Sequence, residues 1–263
     1  MKIRLSLVAA LVAVATLIAA STSHADSGTR YYLSLGDSLA QGYQPIGGPL
    51  SPLGFPGYNQ GYADQLLKLV RDPNEQLRLV KLGCGGETTT TMIVGAPWCG
   101  FPAGSQLAEA TAFLTAHRGE IAFVTIDIGG NDVLQPEGGG VAAIAVNLPV
   151  ILARLRAAAG PGVPIVGMNY YSPTIPGVWF ETHDVQQVQA RVALLVAFNG
   201  DPLADVEGAF SSTDTTLVNG VLLDVQRVCA WTWLCTPPPH GPDIHLNTDG
   251  YGVVAHAFEQ VLA

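Results

Sequence analysis

Ser38 stands where an apolar, β-prone run, Tyr31–Leu35, breaks at Gly36, Asp37 and Ser38. A buried strand that ends in such a turn presents its serine at the mouth of a site. A serine hydroxyl is a weak nucleophile near neutral pH. Attack on a carbonyl needs a base to take its proton and donors for the charge that develops on oxygen. Of six histidines, His24 lies in an N-terminal leader, while His117, His183 and His256 fall on or beside helical stretches and read as surface or packing residues. His240 and His245 remain as bases. Donors are offered by the glycine cluster Gly83, Gly85 and Gly86 and by Asn131, each following another apolar run.

Four blocks therefore carry chemistry: the Ser38 turn, the glycine cluster leading into Glu87 and Thr88, the Gly130–Asp132 turn, and the stretch from Asp243 through His245 to Tyr251. In this order they resemble the GDSL esterases, also called SGNH hydrolases, over nearly all of the chain from Tyr31 onward. The resemblance implies a secreted, bacterial-type serine esterase or lipase acting on carboxylic esters. It also implies a three-layer α/β/α sandwich around a mainly parallel five-stranded sheet, the flavodoxin-like arrangement of that family. Ser38 would be the nucleophile and His245 the general base. The oxyanion hole would comprise the Ser38 N–H, the Gly86 N–H and the Asn131 side-chain amide, with no metal and no cofactor.

The third catalytic member departs from the family pattern. An aspartate is expected three residues before the histidine, but Pro242 stands there and Asp243 lies only two before His245. Either Asp243 or a backbone carbonyl near Pro242 orients the imidazole; its task is to fix the tautomer and support the imidazolium. Asp37 and Asp132, beside the turns, read as structural acceptors of nearby backbone N–H groups. Trp98, Trp179, Trp231 and Trp233 are candidates for an acyl pocket or for the core.

These groups need a scaffold, and the chain alternates strand-like with helix-like stretches, the signature of a parallel sheet covered by helices. Strands are expected over Tyr31–Leu35, Leu77–Leu82, Ile121–Ile128, Pro164–Tyr170 and Leu203–Val206. Helices are expected over Gln60–Arg71, Gln106–Ala116, Val141–Ala159, Asp184–Phe198 and Tyr251–Leu262. Ser38, Gly86 and Asn131 all follow strands directly, so they should converge at the C-terminal edge of the sheet. The Pro- and Gly-rich segment Tyr43–Gly61 either walls the pocket or is a surface loop.

Lys2 and Arg4, the apolar run Leu5–Ala20 and small residues at Ser23 and Ala25 form a signal-peptide pattern, with residues 26–263 as one catalytic domain. The run is short for a membrane span of about 20 residues, so a soluble, secreted monomer without stable membrane insertion is expected. The net charge of −9, with no basic run, argues against nucleic acid as a partner and leaves small-molecule, lipid or sugar esters as substrates. Four cysteines in an exported chain favour disulfides, and the sequence-local pairing is Cys84–Cys99 and Cys229–Cys235. Two other functions compete: a catalytically silent glycan- or lipid-binding module, and a metal-dependent hydrolase built on His240, Asp243 and His245.

Overall fold

The computed structural model describes residues 28–45, 59–73, 75–135, 137–173, 193–195, 197–198 and 201–263. Five strands, β1 (Arg30–Gly36), β2 (Leu77–Lys81), β3 (Ile121–Asp127), β4 (Ile165–Met168) and β5 (Leu203–Ala204), form one sheet in the order β2-β1-β3-β4-β5. Every neighbouring pair is parallel. The inner strands β1, β3 and β4 are largely apolar runs, as strands covered on both faces must be, whereas the edge strand β2 carries Arg78 and Lys81.

Alternation along each strand sends side chains to two separate cores. Tyr32, Phe123, Val166 and Met168 face helices α2 (Tyr62–Val70) and α9 (Thr248–Leu262), with the short α7 (Val206–Phe210) and α8 (Leu223–Trp231) completing that layer. Leu33, Leu35, Val124, Ile126 and Ile165 face α3 (Thr89–Val94), α4 (Gln106–Ala116) and α6 (Gly140–Ala159). The result is the expected three-layer α/β/α sandwich. Helix α6 is long and apolar enough to cross a membrane by composition alone. Here it lays Ile144, Leu148, Ile151, Leu152 and Leu155, all buried, against the sheet.

Sequence boundaries hold closely for the first three strands and for α4 and α6. The fourth strand ends at Met168 rather than Tyr170, and β5 stops at Ala204 because Asp205 caps α7 through Gly208 N. Periodicity misses the short helices α1 (Ser38–Gln41), α3, α5 (Gly130–Leu134) and α7, as well as α8 and the hairpin β6 (Leu217–Val218) and β7 (Val221–Leu222). The four short helices and the hairpin are too brief to show a repeat, and α8, nine residues long, starts directly after β7 with no capping side chain to mark it. The leader 1–25, residues 46–58 and most of the helix expected over Asp184–Phe198 lie outside the described residues; 193–195 and 197–198 are helical.

Candidate active site

In a sheet ordered 2-1-3-4-5, the chain leaves β1 and β3 toward opposite sides, opening a crevice at their C-terminal ends. Ser38 follows β1 and Asn131 follows β3, so both sit at that crevice. The turn after β1 is possible because Gly36 adopts φ +133° and has no side chain; a Cβ there would collide with the Asp127 carbonyl oxygen on β3. Asp37 then caps α1, accepting Leu39 N–H at 2.9 Å, and Ser38 is the first residue of that helix.

His245 arrives on a segment paired with residues 231–233. Trp233 N–H donates to His245 O at 2.9 Å, Asp243 N–H donates to Trp233 O at 3.2 Å, and Asn247 N–H donates to Trp231 O at 3.0 Å. Cys229 and Cys235 are joined across this brace, their Cα atoms 5.0 Å apart. The Tyr171 hydroxyl donates to Ile244 O at 2.7 Å, and the Tyr43 ring stands edge-on to the imidazole with centroids 4.5 Å apart.

Within this frame His245 Nε2 lies 2.8 Å from Ser38 Oγ, and Nδ1 lies 2.6 Å from Asp243 Oδ1. The ring nitrogen Nδ1 thus faces the Asp243 carboxylate. Burial opposes ionisation of Asp243, but its bonds from the ring and backbone of His245 and the charge on the imidazole outweigh that and hold its pKa below the ordinary value.

The second donor loop lies opposite. Gly86 takes φ +79° in a tight turn closed by Glu87 N–H to Cys84 O at 3.1 Å. Among the described residues neither the Ser38 nor the Gly86 N–H donates to a protein acceptor. Asn131 Nδ2 rests 3.1 Å from Glu87 O and 3.3 Å from Asp37 Oδ2, while its Oδ1 accepts from Gln135 Nε2 at 2.9 Å. Cys84 and Cys99 are joined, with Cα atoms 5.9 Å apart, and Sγ of Cys99 lies 3.4 Å from Glu87 Oε2.

Asp132 ties α5 to α3 through Thr89 N–H at 2.8 Å and Thr89 Oγ1 at 2.5 Å, a structural use like that of Asp37. Behind the nucleophile lies a buried acid not singled out by sequence. Asp127 accepts the Tyr62 hydroxyl at 2.6 Å, Ala40 N–H at 3.3 Å and Asp37 N–H at 3.4 Å. Burial, reinforced by Asp37, pushes its pKa well above the ordinary carboxylate range. The signal was an aspartate inside the apolar run of β3. Gln106, which donates to Gly36 O at 2.8 Å and accepts its N–H at 2.7 Å, had no such signal.

These groups open on a cavity of about 540 Å³. Ser38, Gly86, Asn131 and His245 line it beside an apolar wall that includes Val133, Leu134, Tyr170, Tyr171 and Ile244. Among the described residues the expected tryptophans do not line it: Trp231 packs in the core, Trp233 stands against His240, and Trp98 is 52% exposed. Trp179 and residues 46–58 of the Pro- and Gly-rich segment lie outside the described residues. Tyrosines take the place of tryptophan because Tyr170 and Tyr171 follow β4 at the same sheet edge.

Among the described residues, His240 does not join Asp243 and His245 in a cluster of metal-ligand spacing. Both ring nitrogens of His245 are engaged, and His240 Nδ1 is 3.3 Å from Pro45 O. Among the described residues, the group with metal-like spacing is Cys84, Glu87 and Cys99, whose sulfurs are already bonded to each other.

Among solved structures, LAE5, an α/β hydrolase enzyme from the metagenome of Lake Arreo, is 19% identical, covering 90% of this chain and 97% of its own with a TM-score of 0.56. The acetylxylan esterase Axe2 from Geobacillus stearothermophilus is 18% identical, with 89% and 95% covered and a TM-score of 0.55. At these identities the likeness is one of fold. No curated protein matches the chain significantly. The model of the GDSL-like Lipase/Acylhydrolase family matches residues 34–253, which take in all four blocks, and the chain belongs to that family.

Proposed function

We propose that the protein is an exported serine esterase that hydrolyses carboxylic esters through a Ser38 acyl-enzyme. The observation that carries this reading is the continuous hydrogen-bonded line from Ser38 Oγ through His245 to Asp243, at 2.8 and 2.6 Å. Family membership supports ester chemistry, and the two disulfides support an oxidising compartment.

Ser38 Oγ attacks the ester carbonyl as its proton passes to His245 Nε2. Asp243, kept ionised, holds the Nδ1–H tautomer and stabilises the imidazolium. The oxyanion of the tetrahedral intermediate takes the N–H groups of Ser38 and Gly86 and the Asn131 amide. His245 then gives its proton to the leaving alcohol. Water, deprotonated by the same nitrogen, releases the carboxylic acid and restores the serine.

The apolar wall suits an acyl group. Among the described residues that line the cavity, Asp37 and Asp224 are acids and none is a lysine or arginine, which disfavours anionic alcohol portions. Neutral acylated sugars are therefore the first natural class to test, a choice in keeping with the Axe2 likeness. The test is hydrolysis of short- and long-chain p-nitrophenyl esters and of an acetylated xyloside, with Ser38→Ala alongside. Turnover lost in the variant supports the reading. Equal turnover in both, or none in either on any ester, overturns it and favours a binding module.

A further inference from the structure

Gly85 and Gly86 form a turn with no side chains of its own to hold it, although both residues line the cavity. Two donors grip it from outside. Trp98 Nε1 donates to Gly85 O at 3.0 Å, and Gln135 Nε2 donates to Gly86 O at 3.3 Å. A Cβ built on Gly86 would fall between them, 3.8 Å from Trp98 Nε1 and 3.7 Å from Gln135 Nε2.

The first contact has a geometric consequence. In a planar trans peptide the C=O and the following N–H point in opposite directions. Holding Gly85 O against the indole therefore turns the Gly86 N–H away from Trp98. That N–H has no protein acceptor among the described residues. Trp98 is also tethered: the next residue is Cys99, bonded to Cys84, which directly precedes Gly85. The covalent link spares the entropy that an exposed side chain would otherwise lose on ordering. Neither core nor cavity accounts for a half-exposed tryptophan at this position.

We propose that Trp98 is a positioning residue, carried on the Cys84–Cys99 disulfide, whose indole N–H fixes the Gly85–Gly86 peptide so that the Gly86 N–H meets the oxyanion formed at Ser38. This rests on the ester-hydrolase reading above. Trp98 touches no reacting atom; it acts through Gly86. A free glycine turn spends time in orientations that offer no donor, and this loss falls on the transition state rather than on substrate binding.

The test compares wild type, Trp98→Phe and Ser38→Ala on p-nitrophenyl butyrate. Trp98→Phe keeps an aromatic ring but removes the N–H together with the second fused ring. Its kcat should fall about tenfold, the order of one hydrogen bond, with KM changed less than about twofold. The inhibition constant of butaneboronic acid, which forms a tetrahedral adduct on serine, should rise by the same factor as kcat falls. Replacing Trp98 by benzothienylalanine, the same shape without the N–H, should reproduce both effects should the phenylalanine variant fold poorly. Unchanged kcat and boronate inhibition in a folded variant, while turnover still depends on Ser38, would overturn the role of Trp98. Turnover that survives Ser38→Ala would instead refute the underlying enzyme reading.

Discussion

Asp243 Oδ1 accepts both the backbone N–H of His245, at 2.8 Å, and its ring Nδ1, at 2.6 Å. Two residues of separation therefore suffice to orient the imidazole. The carboxylate folds over its own chain as in an Asx-turn, and the same oxygen receives the ring. Asp243→Asn should present the wrong group to Nδ1 and cost about 10³- to 10⁴-fold in kcat, less than the loss from Ser38→Ala. Steady-state kinetics decide it; a loss of less than tenfold would show that the imidazole is oriented by something else.

Glu87 is buried beside the donor loop, with one oxygen near Gln106 and the disulfide and the other, Oε1, without a hydrogen-bond partner among the described residues. Burial pushes its pKa from 4.5 up to about 7, against the pull of Thr91 and Gln106. A carboxyl whose pKa is higher folded than unfolded binds more protons in the folded state. Its contribution to stability is thus greatest at acid pH and declines between the unfolded value and about pH 7. Glu87→Gln should match wild type in thermal midpoint at pH 5 and exceed it at pH 8. Equal midpoints at both pH values would contradict this.

How much of this was legible beforehand depended on the kind of contact. Ser38, Gly86 and Asn131 could be placed at one edge because each ends a strand in a parallel sheet, and that rule needs only local sequence. The sequence-local disulfides were legible for the same reason. Asp243 was ambiguous because spacing alone does not say whether a side chain folds back on its own backbone. Gln106 and Gln135 were not legible as site residues, and Trp98 was legible only as a candidate for the acyl pocket or the core. Each reaches the site through a tertiary contact with a backbone atom, and such contacts leave no pattern along the chain.

In the proposed mechanism Asn131 supplies the side-chain donor of the oxyanion hole, and Gln135 holds its Oδ1. Asn131→Ala should lower kcat about 100- to 1000-fold while leaving KM little changed. Gln135→Leu should give a smaller loss in kcat, measured on the same ester. A Gln135 variant that raises KM alone would place that residue in substrate binding instead.

The Cys84–Cys99 link holds both Trp98 and the glycine turn. Replacing the pair by serine should lower kcat while the far-ultraviolet spectrum stays native, because α3 retains its Thr88 cap and its anchor at Asp132. The loop of separation 15 contributes about 3 kcal/mol by chain entropy, so the thermal midpoint should also fall. Full activity in the folded, disulfide-free variant would contradict the link between this bridge and the donor loop.

The most direct measurement is the intact mass of the protein after treatment with a fluorophosphonate ester, followed by mapping of the adduct. The account predicts stoichiometric loss of fluoride and phosphonylation at Ser38, abolished in Ser38→Ala and slowed markedly in His245→Ala. No adduct, or an adduct at any other residue, would contradict Ser38 as the nucleophile.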